Sequence, residues 1–125
     1  MLILLLDDNP DILALLAMVI QRALRPQPCQ FISARDGVEG LALLDAGYVP
    51  DLIFTNLHMP YMDGLSFMRQ VRGSSRWAHI PLVMVSADRA PGVYQAAYDS
   101  GASIFIAKPF DYATIKTALD RCQPC

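Results

Sequence analysis

The sequence predicts a doubly wound α/β domain, in which a five-stranded parallel sheet carries helices on both faces. The chain has 125 residues, 54% hydrophobic and 18% charged, which is enough for one packed core. Short apolar runs alternate five times with longer segments of helical periodicity. Each connection between parallel strands needs a crossover, so this alternation predicts a parallel sheet covered on both sides.

The first strand and helix have the clearest signals. Leu2–Leu6 is continuously apolar, as expected of a strand buried on both faces. Asn9 can cap the following helix, with Pro10 at its first position, where a missing N–H costs nothing. Apolar residues then recur at helical spacing, and the helix is predicted to end near Leu24.

The later elements follow from caps and stops. Asp36 with Glu39 three residues later indicates a helix start, and this second helix is predicted to stop at Gly47. Asp63 caps a third helix that runs to Gly73. The other predicted strands are Cys29–Ala34, Asp51–Thr55, Pro81–Ser86 and Ser103–Ala107, and the other helices are Pro91–Ser100, before Gly101, and Asp111 to about Cys122.

Composition excludes several function classes. Ten Lys and Arg against twelve Asp and Glu give a net charge of −2, without the basic excess that nucleic-acid binding requires. No apolar run approaches the roughly 20 residues that span a membrane, and Met1 is not followed by a basic signal-peptide region. Three cysteines do not suggest a disulfide framework. We expect a cytoplasmic domain with reduced thiols.

The functional site is expected where the strands end. In open parallel sheets, ligands bind beyond the carboxyl ends of the strands. The residues at those ends are Asp7 and Asp8 after the first strand, Asn56 after the third, Ser86 and Ala87 after the fourth, and Lys108 after the fifth. Carboxylates suit Mg²⁺, and a hydroxyl with an ammonium suits phosphate oxygens. The constellation therefore favours a metal-bound phosphoryl group, although Asn56 is a poor nucleophile.

Four motifs in register resemble the receiver domain of two-component response regulators. They are Leu-Leu-Asp7-Asp8-Asn-Pro, Asp51-Leu-Ile-Phe-Thr-Asn56-Leu-His-Met-Pro60-Tyr-Met-Asp63-Gly64, Val85-Ser86-Ala87 and Ala107-Lys108-Pro109-Phe110. The resemblance implies that residues 1–125 form one receiver domain with the flavodoxin-like (βα)5 fold. It further implies that Asp7, Asp8 and the His58 carbonyl surround Mg²⁺, that Ser86 and Phe105 are switch residues, and that Lys108 contacts phosphate.

The chain departs from the family at the phosphoacceptor. Asn56 stands where receivers have the aspartate that accepts phosphate from a histidine kinase. The charged pocket side chains Asp7, Asp8 and Lys108 sum to −1 instead of −2, so Mg²⁺ is expected to bind weakly, with the Asn56 amide oxygen as the remaining ligand there. Asn56 is either natural, in a degenerate pseudo-receiver, or an engineered substitution. The otherwise intact pocket favours a recent or deliberate change.

Partners follow from the resemblance too. A histidine kinase or phosphotransfer protein, an output domain, or both are implied, together with a homodimer through the fourth helix, fifth strand and fifth helix. Tyr94 and Tyr98 lie four residues apart and share a face of that fourth helix, next to Phe105. The alternatives are a phosphorylation-independent scaffold and a small phosphatase-like enzyme, although no cofactor-binding glycine loop follows the first strand.

The cysteines and His79 are not predicted to carry catalytic or metal-binding chemistry. Cys122-x-x-Cys125 has the spacing of a redox pair or half a zinc site, but it lies at a helix end and has no second C-x-x-C. We therefore expect reactive thiols there, and packing for Cys29. His79 is a lone histidine before a strand, and we assign it no chemistry.

Overall fold

The computed structural model describes residues 1–122 and contains one parallel sheet. The strands are β1 Leu2–Leu6, β2 Gln30–Ala34, β3 Leu52–Thr55, β4 Leu82–Ser86 and β5 Ile104–Ala107. The helices are α1 Pro10–Leu24, α2 Gly37–Asp45, α3 Gly64–Arg72, α4 Val93–Asp99 and α5 Tyr112–Cys122. The strand order is β2-β1-β3-β4-β5, and all neighbours pair in parallel. This is the predicted doubly wound fold.

Over residues 1–122, no helix combines the length and hydrophobicity that a membrane crossing requires.

The sheet separates two hydrophobic cores. Leu4 and Leu6 of β1 face a core that includes the α3 residue Phe67, whereas Ile3 and Leu5 face a second core formed with α1 and α5. All four leucine and isoleucine side chains are at most 2% exposed. Burial on both faces explains why β1 is apolar without alternation.

Most helix starts follow the predicted caps. The Asn9 side chain accepts hydrogen bonds from the first turn of α1, the Asp36 carboxylate from the Glu39 N–H, and the Asp63 carboxylate from the Ser66 N–H. The predicted start of α4 at Pro91 is wrong, because the helix begins at Val93. Gly92 precedes it with a left-handed φ of 86°, a conformation that lies outside the helix and that glycine adopts freely.

Candidate functional site

A buried ion pair lies at the carboxyl edge of the sheet. Lys108, which follows β5, places its Nζ 3.0 Å from Oδ2 of Asp7, which follows β1. The same ammonium donates to Oδ1 of Asn56, which follows β3, at 3.3 Å. The Lys108 and Asp7 side chains are only 17% and 5% exposed. Three strand ends that are far apart in sequence thus meet through one cation, as the strand-end argument predicts.

The Asn56 side chain bridges two groups. Its oxygen accepts from Lys108, and its Nδ2 donates to the backbone carbonyl oxygen of His58 at 3.0 Å. The two partners fix the orientation of the amide. If it were reversed, its N–H groups would face an ammonium and its oxygen would face a carbonyl oxygen, and neither contact is a hydrogen bond.

The oxygen atoms expected around Mg²⁺ are largely committed to protein partners. Asp7 accepts from Lys108 through one oxygen and from the Asn9 N–H through the other. The His58 carbonyl accepts from Asn56, while Asp8 is exposed. Among the described residues, no three His, Cys, Asp or Glu side chains are grouped to hold a metal. As arranged, a divalent ion here would have to share or displace these hydrogen-bond partners.

A second set of contacts joins the loops after β3 and β4. His58 Nε2 lies 2.6 Å from Oδ2 of Asp88, whose other oxygen accepts from the Ala90 N–H. The Asp88 N–H in turn donates to Oγ of Ser86, which is only 1% exposed. The Ala90 N–H, and then His58, lower the pKa of Asp88 below its usual value. Sequence reasoning missed Asp88, because none of the four motifs contains it.

Phe105 forms an aromatic cluster with Tyr94 and Tyr98, and it lines a cavity together with Asp88. Its ring centroid is 5.4 Å from that of Tyr94, which is 5.0 Å from that of Tyr98. The Tyr98 hydroxyl accepts the backbone N–H of Phe105 at 3.1 Å. Phe105 is partly buried, and Ala87 is exposed. The structure therefore confirms that the two tyrosines of α4 share a face beside β5.

Gly64 fixes the position of Asn56. A side chain at Gly64 would overlap the carbonyl oxygen of Asn56, so only glycine allows the start of α3 to approach the site this closely. The Gly64 N–H also donates to the Leu57 carbonyl at 2.8 Å. The Asp63-Gly64 pair of the sequence thus holds the loop that carries Asn56.

The remaining candidates lie at the opposite edge of the sheet. His79 and Cys122 line a cavity of about 340 Å³ together with Asp51 and Pro81, which precede β3 and β4. Cys122 has a free thiol, and burial raises its pKa. The second cysteine of the C-x-x-C motif, Cys125, lies outside the described residues. Neither His79 nor Cys122 joins the site.

Comparison with known proteins agrees with this geometry. Residues 3–120 match the family profile described as the response regulator receiver domain. The chain is 32% identical over 89 residues to chemotaxis protein CheY1 of Helicobacter pylori, covering 71% of this chain and 72% of CheY1. It is 31% identical over 126 residues to the sensor histidine kinase CheAY of the same organism, covering 96% of this chain and 15% of the kinase.

The fold has close structural neighbours as well. The chemotaxis response regulator CheY4 of Vibrio cholerae superposes with a TM-score of 0.84 and 28% identity, over 98% of both chains. The family profile runs from Ile3 in β1 to Asp120 in α5 and includes every residue of the candidate site. The chain therefore belongs to the response regulator receiver domain family.

Proposed function

We propose that this domain is a regulatory protein-interaction switch of a two-component phosphorelay system and that it accepts no phosphoryl group at residue 56. One observation carries the proposal: the side chain that meets Lys108 at the end of β3 is the neutral amide of Asn56. Acyl phosphate formation needs a carboxylate oxygen that attacks phosphorus while the donor's leaving group departs. An amide oxygen is too weak a nucleophile for this step.

The other pocket residues have proposed roles that support this function. With a phosphoryl group in the pocket, as in an Asn56→Asp variant, Lys108 would neutralise one of its oxygens, and the Ser86 hydroxyl and the Ala87 backbone N–H would donate to one. Phe105 would report the state of the pocket to the α4–β5 surface. Asp7, Asp8 and the His58 carbonyl are the proposed ligands of a weakly bound Mg²⁺. When bound, this ion would neutralise phosphoryl oxygens.

Proposed partners are a histidine kinase or phosphotransfer protein, an output domain, or both. The similarity to CheAY and CheY1 supports this partner class. The proposed contact surface, also the surface of a homodimer, comprises α4, β5 and α5. It carries Tyr94, which is 59% exposed, and a neighbouring cavity of about 260 Å³ lined in part by Val93 and Phe105.

Intact-mass measurement tests the missing nucleophile. The chain and its Asn56→Asp variant are incubated side by side with Mg²⁺ and a small acyl phosphate. We expect only the variant to gain one phosphoryl group, and Lys108→Ala in the variant background should suppress that gain. A phosphoryl group on Asn56 of the unsubstituted chain would contradict the proposal.

A second candidate function is a phosphorylation-independent scaffold. The observation that favours it is that Asp7, Asn56, His58 and Lys108 satisfy one another without a ligand. If the Asn56→Asp variant also gains no phosphoryl group, the pocket has lost more than its nucleophile. The scaffold then becomes the better description, and binding to a kinase or output protein should not change when Mg²⁺ and phosphodonor are added.

A further inference from the structure

We infer that Asn56 does more than remove a nucleophile: its amide group also competes with a divalent cation. It does so by hydrogen-bonding to the His58 carbonyl oxygen and to Lys108, so that the ion must displace it. The inference deepens the proposed function and rests on it for the position of the cation. Weak Mg²⁺ binding then has two causes: the missing negative charge at residue 56, and competition from the Asn56 amide.

The competing contact is the hydrogen bond from Asn56 Nδ2 to the His58 carbonyl oxygen, 3.0 Å long. The positive end of this N–H dipole lies beside the oxygen that would ligate the ion. Mg²⁺ requires ligand oxygens at about 2.0–2.1 Å in near-octahedral geometry. A dication on this side of the carbonyl would face the amide protons, so the amide must leave first.

The amide cannot simply turn over to serve the ion. Its oxygen accepts from Lys108 Nζ at 3.3 Å, and that ammonium is also held by Asp7 at 3.0 Å. If the amide rotated to offer its oxygen to a cation, its N–H groups would face the ammonium, donor against donor. Cation entry therefore breaks the Asn56 contacts with both His58 and Lys108.

Charge loss and amide competition predict different results for Asn56→Ala. This variant has the same charge as the unsubstituted chain but lacks the amide. If charge alone weakens the site, alanine should bind Mg²⁺ no better than asparagine. If the amide competes, alanine should bind the ion more tightly, because the His58 carbonyl is then free.

Calorimetric titration with Mg²⁺ distinguishes the two explanations. We expect Asn56→Ala to bind at least about fivefold more tightly than the unsubstituted chain, because ion binding then breaks neither of the two Asn56 hydrogen bonds and a single net hydrogen bond represents that factor. Asn56→Asp should bind more tightly still, and Asp8→Asn should bind least, which places the measured ion at this site. Circular dichroism and thermal unfolding in chelator confirm that each variant is folded. Equal or weaker binding by Asn56→Ala would overturn the inference, since Asn56 would then be neutral or itself a ligand.

A spectroscopic measurement on the unsubstituted chain is independent of these variants' affinities. The chain contains one other asparagine, Asn9, which is exposed. Nitrogen-15 NMR should show side-chain amide protons of Asn56 that exchange with water more slowly than those of Asn9. Saturation with Mg²⁺ should remove this protection. Equally fast exchange at both residues in chelator would refute the hydrogen bond between the Asn56 amide and the His58 carbonyl in solution.

Failure of this inference and failure of the proposed function are distinguishable. The phosphoryl-transfer experiment concerns the nucleophile of the Asn56→Asp variant, whereas the titration concerns a variant that has no nucleophile. Tighter binding by Asn56→Ala would support the inference whether or not the aspartate variant accepts phosphate.

Discussion

Replacing Lys108 by alanine should destabilise the fold much more than replacing Lys116. Each ammonium lies 3.0 Å from its carboxylate, but the Lys108–Asp7 side chains are 17% and 5% exposed and the Lys116–Asp120 side chains 43% and 60%. With an effective dielectric constant of about 20, the gross attraction over 3.0 Å is about 5.5 kcal/mol. Loss of Lys108 leaves a buried carboxylate uncompensated, which costs about 3 kcal/mol, whereas the exposed pair contributes about 0.3–0.5 kcal/mol.

Urea unfolding in metal-free buffer measures this contrast. With a slope of about 2 kcal/mol per molar urea, the midpoint should fall by about 1.5 M for Lys108→Ala and by about 0.2 M for Lys116→Ala. Adding Asp7→Asn to the Lys108 variant should recover part of the loss, because no buried charge then lacks a partner. If both lysine variants shift the midpoint equally, the Asp7–Lys108 pair is not buried in solution and the reasoning is wrong.

Three further predictions concern other parts of the chain. Gly64→Ala should lower the unfolding midpoint in urea and shift the backbone NMR signals of Asn56, because the new methyl group would overlap the Asn56 carbonyl oxygen; unchanged signals would contradict this close approach. Asp111 has a lowered pKa because the backbone N–H and then the hydroxyl of Thr114 donate to it. Its stabilising effect should therefore be complete above its unfolded pKa of about 3.8 and disappear as pH falls through the lower folded value, so stability differences from Asp111→Ala should shrink in acid. The Cys122 thiol, whose pKa burial raises, should react more slowly with iodoacetamide at neutral pH than a model peptide thiol, as peptide mapping by mass spectrometry would show.

The framework of the site was predictable because strand ends converge in a parallel sheet. The burial of Leu2–Leu6 on both faces follows from its unbroken apolar pattern, and the meeting of Asp7 with Lys108 follows from their positions after β1 and β5. These inferences need only periodicity and topology. They therefore hold without knowledge of any side-chain rotamer.

The finer contacts were not predictable in the same way. The His58–Asp88 contact depends on the path of two loops, and no spacing in the sequence encodes it. The late start of α4 depends on the left-handed conformation of Gly92, whereas Pro91 alone resembles a first helical residue. To predict the hydrogen bond from Asn56 to the His58 carbonyl, one must know the orientation of a single side-chain amide, which no sequence pattern specifies.

The bond between the Tyr98 hydroxyl and the Phe105 N–H also bears on self-association. β5 lies at the edge of the sheet, and unpaired N–H groups on an edge strand are a template for another chain's strand. The Tyr98 hydroxyl occupies one of these donors. A strand from a second copy would consequently have to displace the Tyr98 hydroxyl before it could pair with the Phe105 N–H.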